Sequence, residues 1–132
     1  MPAEIAAALS QYRAAQGMSW SADTAAFAEA HDLLVLAADT GGLAGVRPDG
    51  ELVEIGWDDE HPKPIVSRRW RDLVLLSGRR LYQELEPLLP KRRASDLECT
   101  ACRGTGKALG GEFENVVCYC GGLGWIPSYW EK

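Results

Sequence analysis

The chain has 132 residues, 46% of them hydrophobic and 25% charged, so it can bury one ordinary core and is not a disordered chain. Its formal net charge is −5, which disfavours a protein whose main task is to bind duplex DNA or an anionic membrane. The longest apolar run, Leu33–Ala38, is far shorter than the ~20 residues that cross a bilayer. Residues 1–13 show no secretory signal, so we expect a cytoplasmic protein with reduced thiols.

Helices are predicted at the start and in the middle of the chain. A stripe of Ile5, Leu9 and Tyr12 predicts a first helix that stops at Gly17. Ser21 is a good N-cap for a second helix that runs to about His31. Ser67 can cap a third helix, with Gly78 as a break or a stop, and Leu81 and Leu85 continue its apolar stripe until Pro87 and Pro90.

Three strands are predicted between the second and third helices, at residues 33–37, 43–47 and 51–57. The last two are joined by Pro48-Asp49-Gly50, in which proline fixes φ and glycine permits a positive φ. Residues 58–64 are predicted to form a loop. The order predicts an α+β fold, a three-strand antiparallel meander with flanking helices.

Charge and cysteine placement divide the chain. Residues 1–66 carry 3 basic and 11 acidic side chains, residues 67–93 carry 8 and 3, and residues 94–132 carry 3 and 5. All four cysteines lie in the last segment, and the polar stretch before it opens with the helix breaker Pro90. We therefore expect an α+β domain over residues 1–93 and a zinc-binding knuckle over residues 94–132.

The cysteines form two glycine-flanked pairs. Cys99 and Cys102 are a C-x2-C pair, Cys118 and Cys120 are a C-x-C pair, and each pair continues as C-x-G-x-G. Four thiolates suit tetrahedral Zn²⁺, and glycines after a ligand let backbone N–H groups approach the sulfurs. A segment of about forty residues rarely folds on apolar burial alone. The pattern predicts one structural Zn²⁺ held by these four cysteines.

Two other uses of the cysteines are weaker. Disulfides need an oxidising compartment. A thioredoxin-type pair at Cys99 and Cys102 needs a helix directly after a strand, and Arg103–Gly106 is a poor helix start. A thiol–disulfide oxidoreductase acting through Cys99 and Cys102 is kept as an alternative.

The tail resembles a known repeat. Residues 98–126 are similar to the cysteine-rich zinc region of DnaJ-type co-chaperones, at half its length: two C-x-x-C-x-G-x-G units in place of four. The resemblance implies that the four cysteines are the zinc ligands. It also implies four knuckle glycines, namely Gly104, Gly106, Gly122 and Gly124. The second unit departs from the pattern by its C-x-C spacing, and no His-Pro-Asp tripeptide is present, so co-chaperone activity is not implied.

Residues 33–60 place a strand, a Gly-Gly turn, a strand, Pro-Asp-Gly, a strand and then Trp-Asp-Asp-Glu, and this order resembles a second family. Residues 33–86 are similar to the latter half of the SUKH superfamily, small α+β proteins of which many are immunity proteins that neutralise bacterial toxins. The resemblance implies a protein-binding role with a toxin as partner. The acidic front suits a basic partner.

Other candidate residues have ordinary explanations. Asp58, Asp59 and Glu60 read as a solvated loop, and neither His31 nor His61 has a recognisable nucleophile beside it. Trp125, Tyr129 and Trp130 are either docked on the rest of the chain or exposed anchors for a partner. A basic zone within residues 68–93 is either the solvent-exposed face of a helix or a phosphate-binding surface. It comprises Arg68, Arg69, Arg71, Arg79, Arg80, Lys91, Arg92 and Arg93.

The sequence thus predicts a non-catalytic, zinc-containing module that binds a protein partner, as an immunity or adaptor protein. The alternative is an RNA-binding protein that uses the basic zone and the zinc tail.

Overall fold

The computed structural model describes residues 3–11, 20–106, 118 and 120–131. The chain divides into two compact units, Met1–Leu89 (unit 1) and Pro90–Lys132 (unit 2). The sequence placed this boundary four residues later, between residues 93 and 94. Tyr12 and Gly17, which belonged to the predicted first helix, lie outside the described residues. Among the described residues, no helix has the length and apolar character needed to cross a membrane.

Unit 1 is a mixed α+β fold, as the sequence predicted. Its helices are α1 (Ala3–Gln11), α2 (Ala22–Ala30) and α3 (Arg68–Gly78), followed by a 3-10 helix over Gln83–Leu88. Its strands are β1 (Leu34–Ala38), β2 (Gly42–Val46), β3 (Leu52–Gly56) and β4 (Lys63–Pro64). The strands form one antiparallel sheet in the order β1-β2-β3-β4.

The sheet has four strands where three were predicted. Lys63 and Pro64 pair with Glu54 and Val53, so the prediction of a loop over residues 58–64 is wrong at its end. Proline donates no ladder hydrogen bond and is tolerated on an edge strand, which is where β4 lies. A two-residue strand leaves no alternating pattern for sequence inspection to detect.

One face of the sheet carries the main core. Its buried cluster includes Ala28 of α2 and side chains of the first three strands, with Trp20, Phe27, Ala38 and Trp57 partly buried against it. The members from the strands and from the residue before them are Leu33, Val35, Leu43, Val53 and Ile55. The register of β1 shifts between Val35 and Ala37, and this bulge brings Val35 and Ala38 to the same core.

The opposite face lies toward α3. A cross-strand row runs from Ala37 through Ala44 and Glu54 to Lys63, one residue from each strand. The Trp70 indole N–H of α3 donates a hydrogen bond to the Glu54 carboxylate. This row thus carries small side chains at one end and charged ones at the other.

The predicted serine caps of α2 and α3 are present. The Ser21 hydroxyl accepts a hydrogen bond from the Thr24 N–H at 3.2 Å, and the Ser67 hydroxyl accepts one from the Trp70 N–H at 3.2 Å. Each cap satisfies one of the N–H groups that a helix start leaves without a partner. His31 ends α2, as predicted, and its ring lies 4.8 Å from that of Phe27.

Removing the α3 cap is expected to destabilise unit 1. Ser67→Ala leaves the Trp70 N–H without its acceptor, so we expect the free energy of unfolding to fall by about 1 kcal/mol. Urea denaturation followed by tryptophan fluorescence measures this. The matched control is Ser77→Ala, an exposed serine in the last turn of the same helix. Equal effects of the two substitutions would contradict the capping role.

Unit 2 contains a two-stranded antiparallel ribbon. Strand β5 (Leu97–Glu98) pairs with β6 (Trp125–Ile126), and a short 3-10 helix over Ser128–Glu131 follows. The ribbon brings the segment just before Cys99 beside the segment that follows Cys120. Both cysteine pairs are therefore anchored by the same ribbon.

Candidate metal centre

The four predicted ligand residues lie together in unit 2. Their sulfur atoms are all within 4.8 Å of one another. The Sγ atoms of Cys99 and Cys118 are 3.6 Å apart, and those of Cys102 and Cys120 are 3.9 Å apart. Cys99, Cys102 and Cys120 are fully buried and Cys118 is 6% exposed. No other group of described residues gathers three or more potential metal ligands.

The two cysteine pairs hold each other through reciprocal backbone hydrogen bonds. The Cys99 N–H donates to the Gly124 carbonyl at 3.0 Å, and the Cys118 N–H donates to the Gly106 carbonyl at 3.2 Å. Each bond joins the first cysteine of one pair to the last of the glycines that follow the other pair. The short internal repeat thus folds with approximate two-fold symmetry, and neither half is complete alone.

The same glycines direct N–H groups at sulfur. The Gly106 N–H donates to Sγ of Cys102 at 3.3 Å, and the Gly124 N–H donates to Sγ of Cys120 at 3.4 Å. Such donors stabilise negative charge on the sulfurs. Both bonds span four residues, so they repeat the symmetry at the level of the side chains.

Positive φ angles and close contacts explain why glycine is required at positions 106 and 124. Gly106 has φ +78° and Gly124 has φ +85°. A Cβ on Gly106 would stand 2.4 Å from the Gly122 carbonyl oxygen, and one on Gly124 would stand 2.5 Å from that of Gly104. The two turns therefore approach each other so closely that only glycine fits at either position.

The cluster has the dimensions of a tetrahedral metal site. Four sulfurs at about 2.3 Å from one ion stand about 3.8 Å apart, close to the separations of the two contacting pairs. The C-x-C spacing does not prevent this, because Cys118 and Cys120 both reach the cluster. These four sulfurs could hold one metal ion.

In the absence of a metal, burial disfavours four neighbouring thiolates and favours protonated thiols. Burial raises the pKa of Cys118 to about 12 and also raises the pKa of Cys120. Burial acts in the same direction on Cys99, but hydrogen bonds from the Cys102 and Ala101 amides and from the Cys102 and Cys118 thiols lower its pKa to about 7. A cation that binds here must displace protons, so its apparent affinity rises with pH.

Asp96 is a functional residue of unit 2 that sequence inspection missed. Its carboxylate is 6% exposed and accepts hydrogen bonds from the Arg93 N–H at 2.7 Å and the Ser128 N–H at 2.9 Å. These backbone bonds lower the pKa of Asp96. One side chain thus ties the segment that enters unit 2 to the segment that leaves it. In the sequence, the only sign of this role is that Asp96 follows Arg93 by three residues, and this spacing is common to many turns.

Neutralising Asp96 is expected to destabilise unit 2 in a pH-dependent way. Asp96→Asn presents an NH2 group to one of the two N–H donors, so the thermal midpoint should fall at pH 7. Folding lowers the pKa of Asp96. The higher stability of the wild type over Asp96→Asn is therefore fully present above the unfolded pKa of about 4, and it shrinks as the pH falls through the folded pKa. Thermal melts from pH 7 to pH 3 measure it. The neighbouring Glu98→Gln, which removes the same charge, is the control, and a matching loss there would contradict the role of Asp96.

The remaining candidate residues are not brought into the metal centre. Asp58, Asp59 and Glu60 are exposed, and Asp59 accepts a hydrogen bond from the Gly56 N–H at 3.0 Å. His61 lies exposed in a bend. Trp125 and Trp130 are buried, so the interpretation of these two side chains as exposed anchors is wrong.

The class of site is a buried four-cysteine centre with two glycine knuckles, able to hold one metal ion. Comparisons with protein-family models, with curated proteins and with solved structures found no match to this chain.

Proposed function

We propose that the chain is a non-catalytic binding protein whose C-terminal unit is held together by one structural Zn²⁺. The proposal of a bound metal is supported by four buried sulfurs that converge from two turns, which hydrogen-bond each other reciprocally. Soft thiolate ligands in a tetrahedral arrangement favour zinc over harder cations such as magnesium or calcium.

A structural role follows from the number of ligands. Four cysteines fill a tetrahedral coordination sphere, so no position is left for a water or a substrate. The sulfurs are almost fully buried, which further limits access to the ion. The described residues of unit 2 form a short ribbon and one 3-10 helix, and a metal cross-link would supply order that so small a core does not.

Protein binding is supported by the charge of the front half. Residues 1–66 carry 11 acidic and 3 basic side chains, which suits a basic protein partner. The resemblance of residues 33–86 to the SUKH superfamily implies the same kind of role. We propose an immunity or adaptor protein, with a basic toxin as the partner.

Metal content per chain tests the centre. Native mass spectrometry of the purified chain is expected to find one zinc ion, released when the pH is lowered. Cys118→Ser and Cys120→Ser are each expected to lose it, because both sulfurs of the C-x-C pair take part. A well-folded chain without metal, or one with disulfides among these cysteines, would overturn the proposal.

RNA binding is the second candidate, and one observation favours it. Seven of the eight basic residues between 67 and 93 are exposed, Arg79 being half-buried. This function predicts retention of a single-stranded RNA oligonucleotide that weakens steeply with salt. Reversing Arg68, Arg69 and Arg71 to glutamate should abolish the retention, and an unchanged salt profile in that variant would remove this candidate.

A further inference from the structure

Unit 1 contains a cavity of about 520 Å³ between the sheet and α3. Ala37 and Ala44 of the cross-strand row form part of its lining, and Trp70 and Ser77 of α3 contribute to the wall. The alanines leave space that larger side chains would fill. The volume lies in the range of about 300–1,000 Å³ that ligand-binding pockets occupy.

The charge of the lining selects the ligand. Asp39, Glu54 and Asp59 line the cavity together with a single cation, Lys63. Asp39 and Asp59 accept backbone N–H hydrogen bonds at 2.8 to 3.1 Å, which hold the carboxylates in place without neutralising them. Lys63 faces Glu54 across the strands, but the two form no ion pair within the described part of the chain. A concave surface with this excess of carboxylates attracts cations.

Glu54 and Trp70 form the recognition pair. The indole N–H donates a hydrogen bond to one carboxylate oxygen, Oε2, and both residues line the cavity. A guanidinium is planar, stacks on indole and donates hydrogen bonds to a carboxylate at the same time. An ammonium has the charge but not the planar shape, so arginine fits this pair better than lysine.

We propose that this cavity receives an arginine side chain of a protein partner, which stacks on the Trp70 ring and donates hydrogen bonds to the Glu54 carboxylate. The inference deepens the proposed binding function and rests on it, since it names the surface and the chemistry that the partner must present. Every residue it uses belongs to unit 1, so it does not depend on which metal unit 2 holds.

The test uses the zinc-loaded full chain and three short peptides that are identical except for a central arginine, lysine or citrulline. Each is titrated while the Trp70 indole ¹H–¹⁵N signal is followed. Arginine should shift this signal at millimolar concentration, lysine should bind more weakly, and the neutral isostere citrulline should leave the signal unchanged. Glu54→Gln should weaken arginine binding about tenfold.

Two further variants separate the cavity from general surface charge. Ala44→Leu should fill the cavity and abolish the shift, whereas Ala26→Leu, at an exposed position of α2, should leave it intact. If Ala44→Leu does not fold, Glu54→Gln decides alone. Equal binding of arginine and citrulline, no binding of arginine, or a shift caused by an RNA oligonucleotide in its place would overturn the proposal. Zinc measured on the same samples distinguishes this failure from a failure of the metal centre.

Discussion

Replacing Cys102 by serine is expected to abolish metal retention and to unfold unit 2. Sulfur of Cys102 lies 3.9 Å from that of Cys120 and accepts the Gly106 N–H, so its loss removes both a ligand and an anchor of the turn. Loss of an outer-shell partner alone weakens metal binding by about 10- to 100-fold, so loss of a ligand should exceed about 100-fold. Competition with a chromophoric chelator measures the affinity, and amide dispersion of residues 96–106 measures the fold.

The matched control for this substitution is Ala101→Ser. It places the same hydroxyl at an exposed position beside the ligand and leaves all four sulfurs in place. We expect it to retain one metal ion per chain with unchanged amide dispersion. If Cys102→Ser also keeps the metal and the dispersion, the four-sulfur centre does not organise unit 2.

Adding a methyl group to either knuckle glycine is expected to have the second largest effect. Gly106→Ala and Gly124→Ala each combine a positive φ, which costs about 1–2 kcal/mol for a residue with Cβ, with a backbone oxygen at 2.4 or 2.5 Å. Backbone atoms on both sides cannot move aside cheaply. We expect a loss of about 3 kcal/mol or more in the free energy of unfolding of unit 2.

Gly41→Ala provides the comparison for the glycine variants. A Cβ at Gly41 would meet nothing closer than a carboxylate oxygen of Asp39 at 3.4 Å, so its effect should stay within about 0.5 kcal/mol. Calorimetry of the zinc-loaded chain can compare the three substitutions. A small effect of Gly106→Ala would show that the two turns separate more readily than their reciprocal bonds imply.

The parts of the fold that were predictable are those with local causes. Ser21 and Ser67 cap helices because a serine oxygen reaches an N–H three residues on, whatever surrounds it. The turn at Gly50 has φ +90°, as the Pro-Asp-Gly run requires. The repeated C-x-G-x-G spacing likewise predicted the turn at each cysteine pair, because Gly106 and Gly124 each donate to a cysteine sulfur only four residues away.

The parts that were not predictable depend on distant partners. Strand β4 exists because Glu54 and Val53 present an open edge, and nothing within Lys63–Pro64 indicates it. Asp96 reaches Ser128, 32 residues away, and no local pattern records that bond. The cavity likewise arises from alanines on neighbouring strands, whose alignment depends on the register and on the bulge in β1.

With the proposed ion bound, the reciprocal bonds between Cys99 and Gly124 and between Cys118 and Gly106 would make the order of unit 2 depend on metal supply. Since each turn lacks its partner until the other is in place, the ion and the backbone pairing should form together. With one ion bound only to the folded state, each tenfold rise in free metal above the dissociation constant adds about 1.4 kcal/mol to the stability of unit 2. Depletion of the ion in the surrounding solution would then lower the stability of unit 2 without any change in its sequence.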